Sequence, residues 1–225
     1  MPLAAGTLLS ATPAQAHYLG TVMRRGPGAT LRLFNGHDGE WEARIVTQSR
    51  TAVRLEVTAQ RRPQGQEPDL WLAFAPLKRD AIDLVAQKAT ELGAAALLPV
   101  LTRRTVAARV NLDRLAAIAT EAAEQCERLT VPRIAAPQTL PALLSAWPAG
   151  RPLFAAIERT AAPPLAPWRA PCGLLIGPEG GFAPEELDEL DRHALVKPAS
   201  LGPRILRAET AAIVGLALLQ APGGG

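Results

Sequence analysis

The sequence predicts an α/β protein in two parts, a small β domain over residues 1–65 and a larger parallel-sheet domain over residues 70–220. Three observations predict it. Short alternating apolar and polar segments fill the first sixty residues, as half-exposed strands do. From Leu70 onward apolar strand segments alternate with helix-period segments, the order of a parallel sheet covered on both faces. Between the two patterns, Arg61-Arg62-Pro63-Gln64-Gly65-Gln66-Glu67-Pro68 is polar, with two prolines and a glycine, and reads as a linker. At 225 residues, 48% hydrophobic and 20% charged, the chain has the length and apolar content for one large core or two small ones.

In the β domain, Thr30-Leu31-Arg32-Leu33-Phe34 alternates and Asn35-Gly36 supplies a turn. Trp41 to Val46 and Ala52 to Val57 alternate again. Ala14 to Arg25 reads as a short helix that places His17, Arg24 and Arg25 at one edge. Leu3 to Leu9 is mildly apolar, and Ala14-Gln15-Ala16 has the form of a signal-peptidase site. No Lys or Arg precedes Arg24, however, and Gly6 and Thr7 break the run, so the segment is taken as domain sequence. No stretch approaches the ~20 apolar residues of a membrane span.

In the second domain, Leu70 to Ala75 is an apolar strand and Pro76-Leu77-Lys78-Arg79 a basic turn. Asp80 to Leu92 is a helix with Ile82, Val85, Ala89 and Leu92 on one face, ended by Gly93. Ala95 to Leu101 is a second buried strand. Asn111 is a good N-cap for a long helix to Leu129, with an apolar stripe of Leu112, Leu115, Ile118, Ala122, Cys126 and Leu129. Pro137 to Pro171 is proline-rich and carries little pattern beyond the strand Leu153 to Ile157. Gly173 to Ile176 is a further strand. Pro184, followed by Glu185 and Glu186, starts a helix with acids placed for its dipole. Gly223-Gly224-Gly225 reads as a disordered tail.

Two Gly/Pro-rich turns organise the chain's last fifty residues. Gly177-Pro178-Glu179-Gly180-Gly181 follows the strand ending at Ile176, and Leu201-Gly202-Pro203-Arg204-Ile205-Leu206-Arg207 leads into Ala208-Glu209-Thr210-Ala211-Ala212. Both sit between a strand and a helix, where an open α/β sheet places a ligand. Neither has the Lys and hydroxyl of a phosphate-binding Walker loop, nor the Gly-x-Gly-x-x-Gly of a dinucleotide site. Glu179 beside bare amides would repel phosphate, so a cationic or zwitterionic ligand fits better. The same glycines would also serve tight turns alone.

The net charge is +3, with the excess of Lys and Arg confined to residues 1–110. An Arg-rich N-terminal half suits an RNA backbone, though solvated surface charge explains it as well. Two cysteines and three scattered histidines outline no metal or disulfide framework and fit a cytoplasmic protein.

Leu175-Ile176-Gly177-Pro178-Glu179-Gly180-Gly181-Phe182, followed by Ser200-Leu201-Gly202-Pro203-Arg204-Ile205-Leu206-Arg207-Ala208-Glu209-Thr210-Ala211, resembles the RsmE family. These are SPOUT-class enzymes that use S-adenosylmethionine to methylate N3 of a uridine in 16S ribosomal RNA. The resemblance extends to Gln87-Lys88-Ala89-Thr90-Glu91-Leu92-Gly93, to Glu121-Ala122-Ala123-Glu124-Gln125, and to a PUA-like β-barrel RNA-binding domain at the N-terminus. Relatives follow that glutamine with a small residue, Gly and Arg, whereas this chain has Cys126-Glu127-Arg128. They also begin with a basic-aromatic strand ahead of the point where Met1 stands.

The resemblance implies a trefoil-knotted parallel sheet, a homodimer and a site built from the two turns. Cofactor-binding residues would be Leu175, Gly177, Glu179, Gly180, Leu201, Gly202, Ile205 and Leu206, with Thr210 either bonding the cofactor or capping the last helix. Uridine N3 must lose its proton, and a cation near the uracil oxygens would stabilise the anion. Arg207, then Arg204, are the candidates, with Glu209 accepting a proton or orienting an arginine. Arg24, Arg25, Arg79, Lys88, Arg103 and Arg104 are candidate RNA contacts or structural ion pairs. No metal is implied. Alternatives are another SPOUT enzyme, such as a ribose 2′-O-methylase, or a catalytically silent RNA-binding or ribosome-assembly protein.

Overall fold

The computed structural model describes residues 1–49, 51–106, 109–157 and 161–221, so the glycine tail lies outside the described residues. The chain divides into two compact units, Met1–Gln66 and Glu67–Gly225.

The first unit is an antiparallel sheet of four strands, β1 (Leu8–Ser10), β2 (Thr30–Leu33), β3 (Glu40–Gln48) and β4 (Val53–Arg62), in the order β1-β4-β3-β2. The path is open, with no pairing of β1 to β2 among the described residues. Alternation puts Ala43, Ile45, Val53 and Leu55 inside with Ala16 and Leu19. β4 runs on through Arg61 and Arg62, which sequence composition assigns to the linker. They are held there by Glu42 and Glu40 on β3.

The helix expected over Ala14 to Arg25 is shorter and changes type. A capping box between Thr12 and Gln15 starts α1 (Pro13–His17), which continues as a π-helical turn, Tyr18–Val22. Gly20 lies under the Gln48 side chain, which a Cβ at residue 20 would meet at 2.8 Å. Arg24 then leaves the helix with φ of 51°.

The second unit is an all-parallel sheet in the order β11-β9-β10-β5-β6-β7, with β8 also on β6. Its strands are β5 (Leu70–Phe74), β6 (Ala96–Leu101), β7 (Arg133–Ile134), β8 (Gln138–Thr139), β9 (Leu153–Ala156), β10 (Cys172–Ile176) and β11 (Val196–Ala199). Its helices are α2 (Arg79–Glu91), α3 (Leu112–Gln125), α4 (Leu140–Ser145), α5 (Pro184–Arg192) and α6 (Ala208–Gln220).

Period-two alternation divides the core into two layers. Leu70, Leu72, Phe74, Leu97, Leu174 and Ile176 face one way and pack with residues of α2, α3 and α6. Ala73, Leu98, Val100, Leu153, Ala155 and Leu175 face the other way, against residues of α4 and α5. Gly215 on α6 permits a close approach to the sheet, since a Cβ there would lie 2.6 Å from Leu174 Cδ2.

The second helix matches its expected face, and Gly93, at φ 77°, ends it. Asn111 caps α3 by accepting from the Arg114 amide at 3.0 Å. That helix stops at Gln125, short of Leu129, and Cys126 is exposed instead of joining the buried stripe. The reason is the turn that follows. Glu127 takes φ of 58°, and Arg128 donates from its side chain to the carbonyls of Thr90 (2.8 Å) and Ala94 (2.9 Å) and to Glu67 (2.5 Å).

Candidate functional site

The site is set by strand register. Ile176 pairs with Ala156, and Ala156 with Ala199, so the carboxyl ends of β10, β9 and β11 lie side by side. Three chain segments therefore leave the sheet at one edge, where the strand order reverses after the chain has crossed from β8 to β9. In an open parallel sheet that is the ligand crevice. Here it is a cleft of about 770 Å³, within the range of small-molecule sites.

One wall is the turn after β10. Gly181 donates its amide to the Pro178 carbonyl at 2.8 Å and takes φ of 69°, which closes a tight turn that an L side chain disfavours. Phe182 folds back into the core beneath it, where a Cβ on Gly177 would meet the ring at 2.9 Å. The opposite wall is the segment after β11, where the Ser200 hydroxyl accepts from the Gly202 amide at 3.2 Å and Gly202 takes φ of 115°. Ser200 is pinned from behind, its amide donating to Pro163 and its carbonyl accepting from Leu165.

A third segment closes one side. Arg104, in the loop after β6, lines the cleft and donates to the Gly180 carbonyl at 2.8 Å. That loop is fixed by Glu186, a buried carboxylate on α5. Its Oε1 accepts from the Arg103 amide and its Oε2 from the Ala183 amide, both at 2.8 Å. Glu186 is thus a structural member of the site and not merely a charge at a helix start. Its spacing from Ala183 is the capping-box spacing, the one signal that could have revealed it.

Of the residues put forward from the sequence, Gly177, Glu179, Gly180, Leu201, Gly202, Arg204, Ile205 and Leu206 line the cleft. Leu175 does not, because alternation turns its side chain into the other core layer and gives the cleft to Ile176. Ala156, Ile157, Ser200, Ala208 and Ala211 also line it and were missed. They are small or plainly apolar, and only the register singles them out.

Arg207 is the exposed N-cap of α6, outside the cleft lining. Thr210 is exposed on the first turn of α6 and is not its cap, which corrects that alternative. Glu209 is half-buried, and its Oε2 is enclosed without a hydrogen-bond partner among the described residues.

Among the basic candidates, Lys88 pairs with Glu91 at 2.8 Å. Arg103 is exposed. Arg79 opens α2, and its side chain lies outside what the structure describes. Arg24 and Arg25 are exposed in the turn after the π-helical segment.

Comparison with known proteins agrees with this architecture. Residues 65–220 match the family described as RNA methyltransferase domain, and residues 11–58 match the RNA methyltransferase PUA domain. A ribosomal RNA small subunit methyltransferase E from Rickettsia conorii is 35% identical over 92% of this chain and 86% of its own length. One from Synechocystis is 34% identical over 93% of this chain and 72% of its own. A Legionella pneumophila protein solved with the bound cofactor SAM superposes with a TM-score of 0.87 at 31% identity, covering 100% of this chain and 96% of its own. The Neisseria gonorrhoeae ribosomal RNA small subunit methyltransferase E, bound to S-adenosyl methionine, gives 0.86 at 27% identity, covering 96% and 92%. With a SPOUT-like parallel-sheet unit preceded by a PUA-like antiparallel one, the chain belongs to the family of ribosomal RNA small subunit methyltransferase E, the RsmE family.

Proposed function

We propose that the chain is an S-adenosylmethionine-dependent methyltransferase acting on N3 of a uridine in 16S ribosomal RNA, free or within the small subunit. The observation that carries this reading is the in-register delivery of Ala156, Ile176 and Ala199 into one cleft edged by two glycine turns, in a chain of this family.

S-adenosylmethionine, when bound, supplies a methyl group on a sulfonium, so the protein need furnish no covalent nucleophile. Its tasks are orientation and charge stabilisation. The cleft's chemistry fits the cofactor. Backbone groups of Gly177, Glu179, Gly180, Leu201 and Gly202 are the proposed polar contacts. Leu201, Ile205 and Leu206 are the proposed apolar walls, and Leu175, whose side chain turns into the other core layer, would offer only its backbone. Ile205 is 58% exposed, a large apolar side chain left open on a cleft wall for a ligand to cover. Glu179 at the rim suits the cationic end of a zwitterion.

Arg204 lines the cleft and Arg207 does not, so Arg204 is the cation proposed to face the uracil oxygens. That reverses the order favoured by the sequence. Glu209, behind the rim, is proposed to orient an arginine. Thr210 has no cofactor role in this reading.

Homodimerisation is proposed from α6, whose sequence AETAAIVGLALLQ is apolar nearly all round. One face is buried, yet Ile213, Val214 and Leu218 are only half-covered, which is unusual for such a helix unless a partner packs there. No helix among the described residues is long and apolar enough to cross a membrane. A cytoplasmic location is proposed from the substrate.

The test is calorimetric titration of S-adenosylmethionine into wild type and Gly180→Trp, followed by mass spectrometry of 16S RNA incubated with enzyme and cofactor. Expected are one site per protomer, its loss in the variant, and 3-methyluridine in the RNA. Methylation at a ribose would favour the other SPOUT chemistry. Absence of cofactor binding by calorimetry and by equilibrium dialysis would leave a silent RNA-binding protein.

A further inference from the structure

The arginines of the first unit occupy two different environments. On the strands most of them are compensated. Arg32 lies 3.4 Å from Glu40 and 3.7 Å from Glu42, Arg61 lies 2.8 Å from Glu42, Arg44 lies 2.8 Å from Glu56, and Arg62 is bonded to Glu40. The strands' outer surface is therefore largely a lattice of opposite charges, with Arg54 as a further exposed arginine on β4.

Arg24 and Arg25 stand elsewhere, in the turn that ends the π-helical segment. No acidic residue precedes Asp38 in the chain, so this region is cationic without compensation from its own sequence. Tyr18, Val22 and Met23 are beside them and are 50%, 61% and 43% exposed, a concentration of large apolar side chains in one short turn.

The backbone sharpens the point. Arg24 has φ of 51°, the left-handed region, at the place past a helix end that glycine favours. The turn is closed by backbone bonds, Met23 to the Tyr18 carbonyl and Arg25 to the Leu19 carbonyl, each 2.9 Å. None of these bonds uses the Arg24 side chain. The chain thus holds a basic side chain where glycine would sit with less strain.

We infer that this turn, and not the surface of the strands, is where the first unit grips RNA, and that it takes an unpaired stretch. Tyr18 offers a ring for one base to stack on, and Arg24 and Arg25 neutralise the flanking phosphates. An unpaired stretch is specified because a duplex does not offer its base faces for stacking. The inference rests on the reading of this chain as an RNA methyltransferase.

The test is fluorescence anisotropy with labelled single-stranded and duplex oligoribonucleotides, on full-length wild type, Tyr18→Ala, Arg24→Gly, Arg24→Lys and the double variant Arg44→Ala/Arg54→Ala. Tyr18→Ala weakens single-strand binding about tenfold. Arg24→Gly lowers the slope of log affinity against log salt by about 0.7. The same variant raises the thermal midpoint by about 2–4 °C, because it relieves the left-handed strain. Arg24→Lys retains the affinity and the strain, and the strand variant binds as wild type. Unchanged affinity in Arg24→Gly, a larger loss in the strand variant, or equal binding of duplex would each overturn the inference while leaving the methyltransferase reading intact. A wild type that binds cofactor but no RNA would overturn both.

Discussion

The Glu186 carboxylate accepts the backbone amide of Arg103 at 2.8 Å, and this one contact ties the loop after β6 to the start of α5. Its second oxygen takes the Ala183 amide, so one buried side chain satisfies two amides that would otherwise be stranded. Glu186→Ala should lower the unfolding free energy by about 2–3 kcal/mol, measured by urea denaturation. Cofactor affinity should fall with it, because Arg104 holds Gly180 from the same loop. Glu186→Gln keeps one good acceptor and should lose roughly half as much stability. Equal stability in wild type and Glu186→Ala would remove the clamp from the account.

The glycines of the first turn should differ in what they tolerate. A Cβ on Gly177 would lie 2.9 Å from the buried Phe182 ring, whereas one on Gly180 would meet only Arg104 carbons at 3.6 Å. Gly177→Ala should therefore cost about 1–3 kcal/mol by overpacking. Gly180→Ala should fold within about 0.5 kcal/mol of wild type. Paired thermal melts with and without cofactor would check both, and an equal cost would mean that Phe182 simply moves aside.

Glu127→Gly should stabilise the protein by about 1 kcal/mol, since residue 127 holds φ of 58°. Its neighbour has the opposite expectation. Arg128 is nearly buried and bonds the carbonyls of Thr90 and Ala94, so Arg128→Ala should cost about 3 kcal/mol through unsatisfied carbonyls and lost charge-assisted bonds. Denaturant midpoints would show the two shifts in opposite directions. A loss of RNA affinity in Arg128→Ala without loss of stability would contradict this structural role.

The two cysteines should separate by reactivity. Cys126 is exposed, while burial pushes the Cys172 thiol up to about 11 from an ordinary 9.0. A thiol reagent at pH 8 should modify one cysteine quickly and the second only on unfolding. The linkage has a definite sign. The raised pKa means the folded state keeps its proton when the unfolded chain has lost it, so this contribution is fully present below the unfolded value. It is lost as pH rises from about 9 towards about 11. Cys172→Ala should flatten that part of the stability profile, and an unchanged alkaline slope would assign the loss to other groups.

Much of this architecture was legible because local signals and the fold agreed. Gly93 and Asn111 sit where a helix must stop or start, and the alternating strands face as their patterns require. The two glycine turns could be singled out because each stands between a strand and a helix, where an open parallel sheet places a ligand, although glycines there also serve tight turns alone. What escaped was set by long-range packing. The two-residue strands β7 and β8 have no periodicity to read, and α4 begins at Leu140-Pro141 inside a proline-rich stretch. The assignment of the cleft to Ile176 and not Leu175 depends on which sheet face each helix covers. Cys126 was placed on a buried stripe because an apolar period cannot announce the left-handed residue that ends the helix beside it.

The position of β10 bears on how such a chain is made. Cys172 pairs with Leu70 on one side, and Gly173 pairs with Leu153 on the other, so the middle strand of the sheet is synthesised after both of its neighbours. A nascent chain leaving the ribosome must keep that slot open, with parallel edges and apolar faces exposed, until the strand arrives to fill it. Pairings between segments so far apart in sequence close slowly and leave intermediates prone to misassembly. Both glycine turns that wall the cleft lie beyond that strand, so the cleft is completed only after β10 has been made. A product terminated before Gly177 would carry Arg104, Ala156, Ile157 and Ile176 of the cleft lining but neither of the glycine turns.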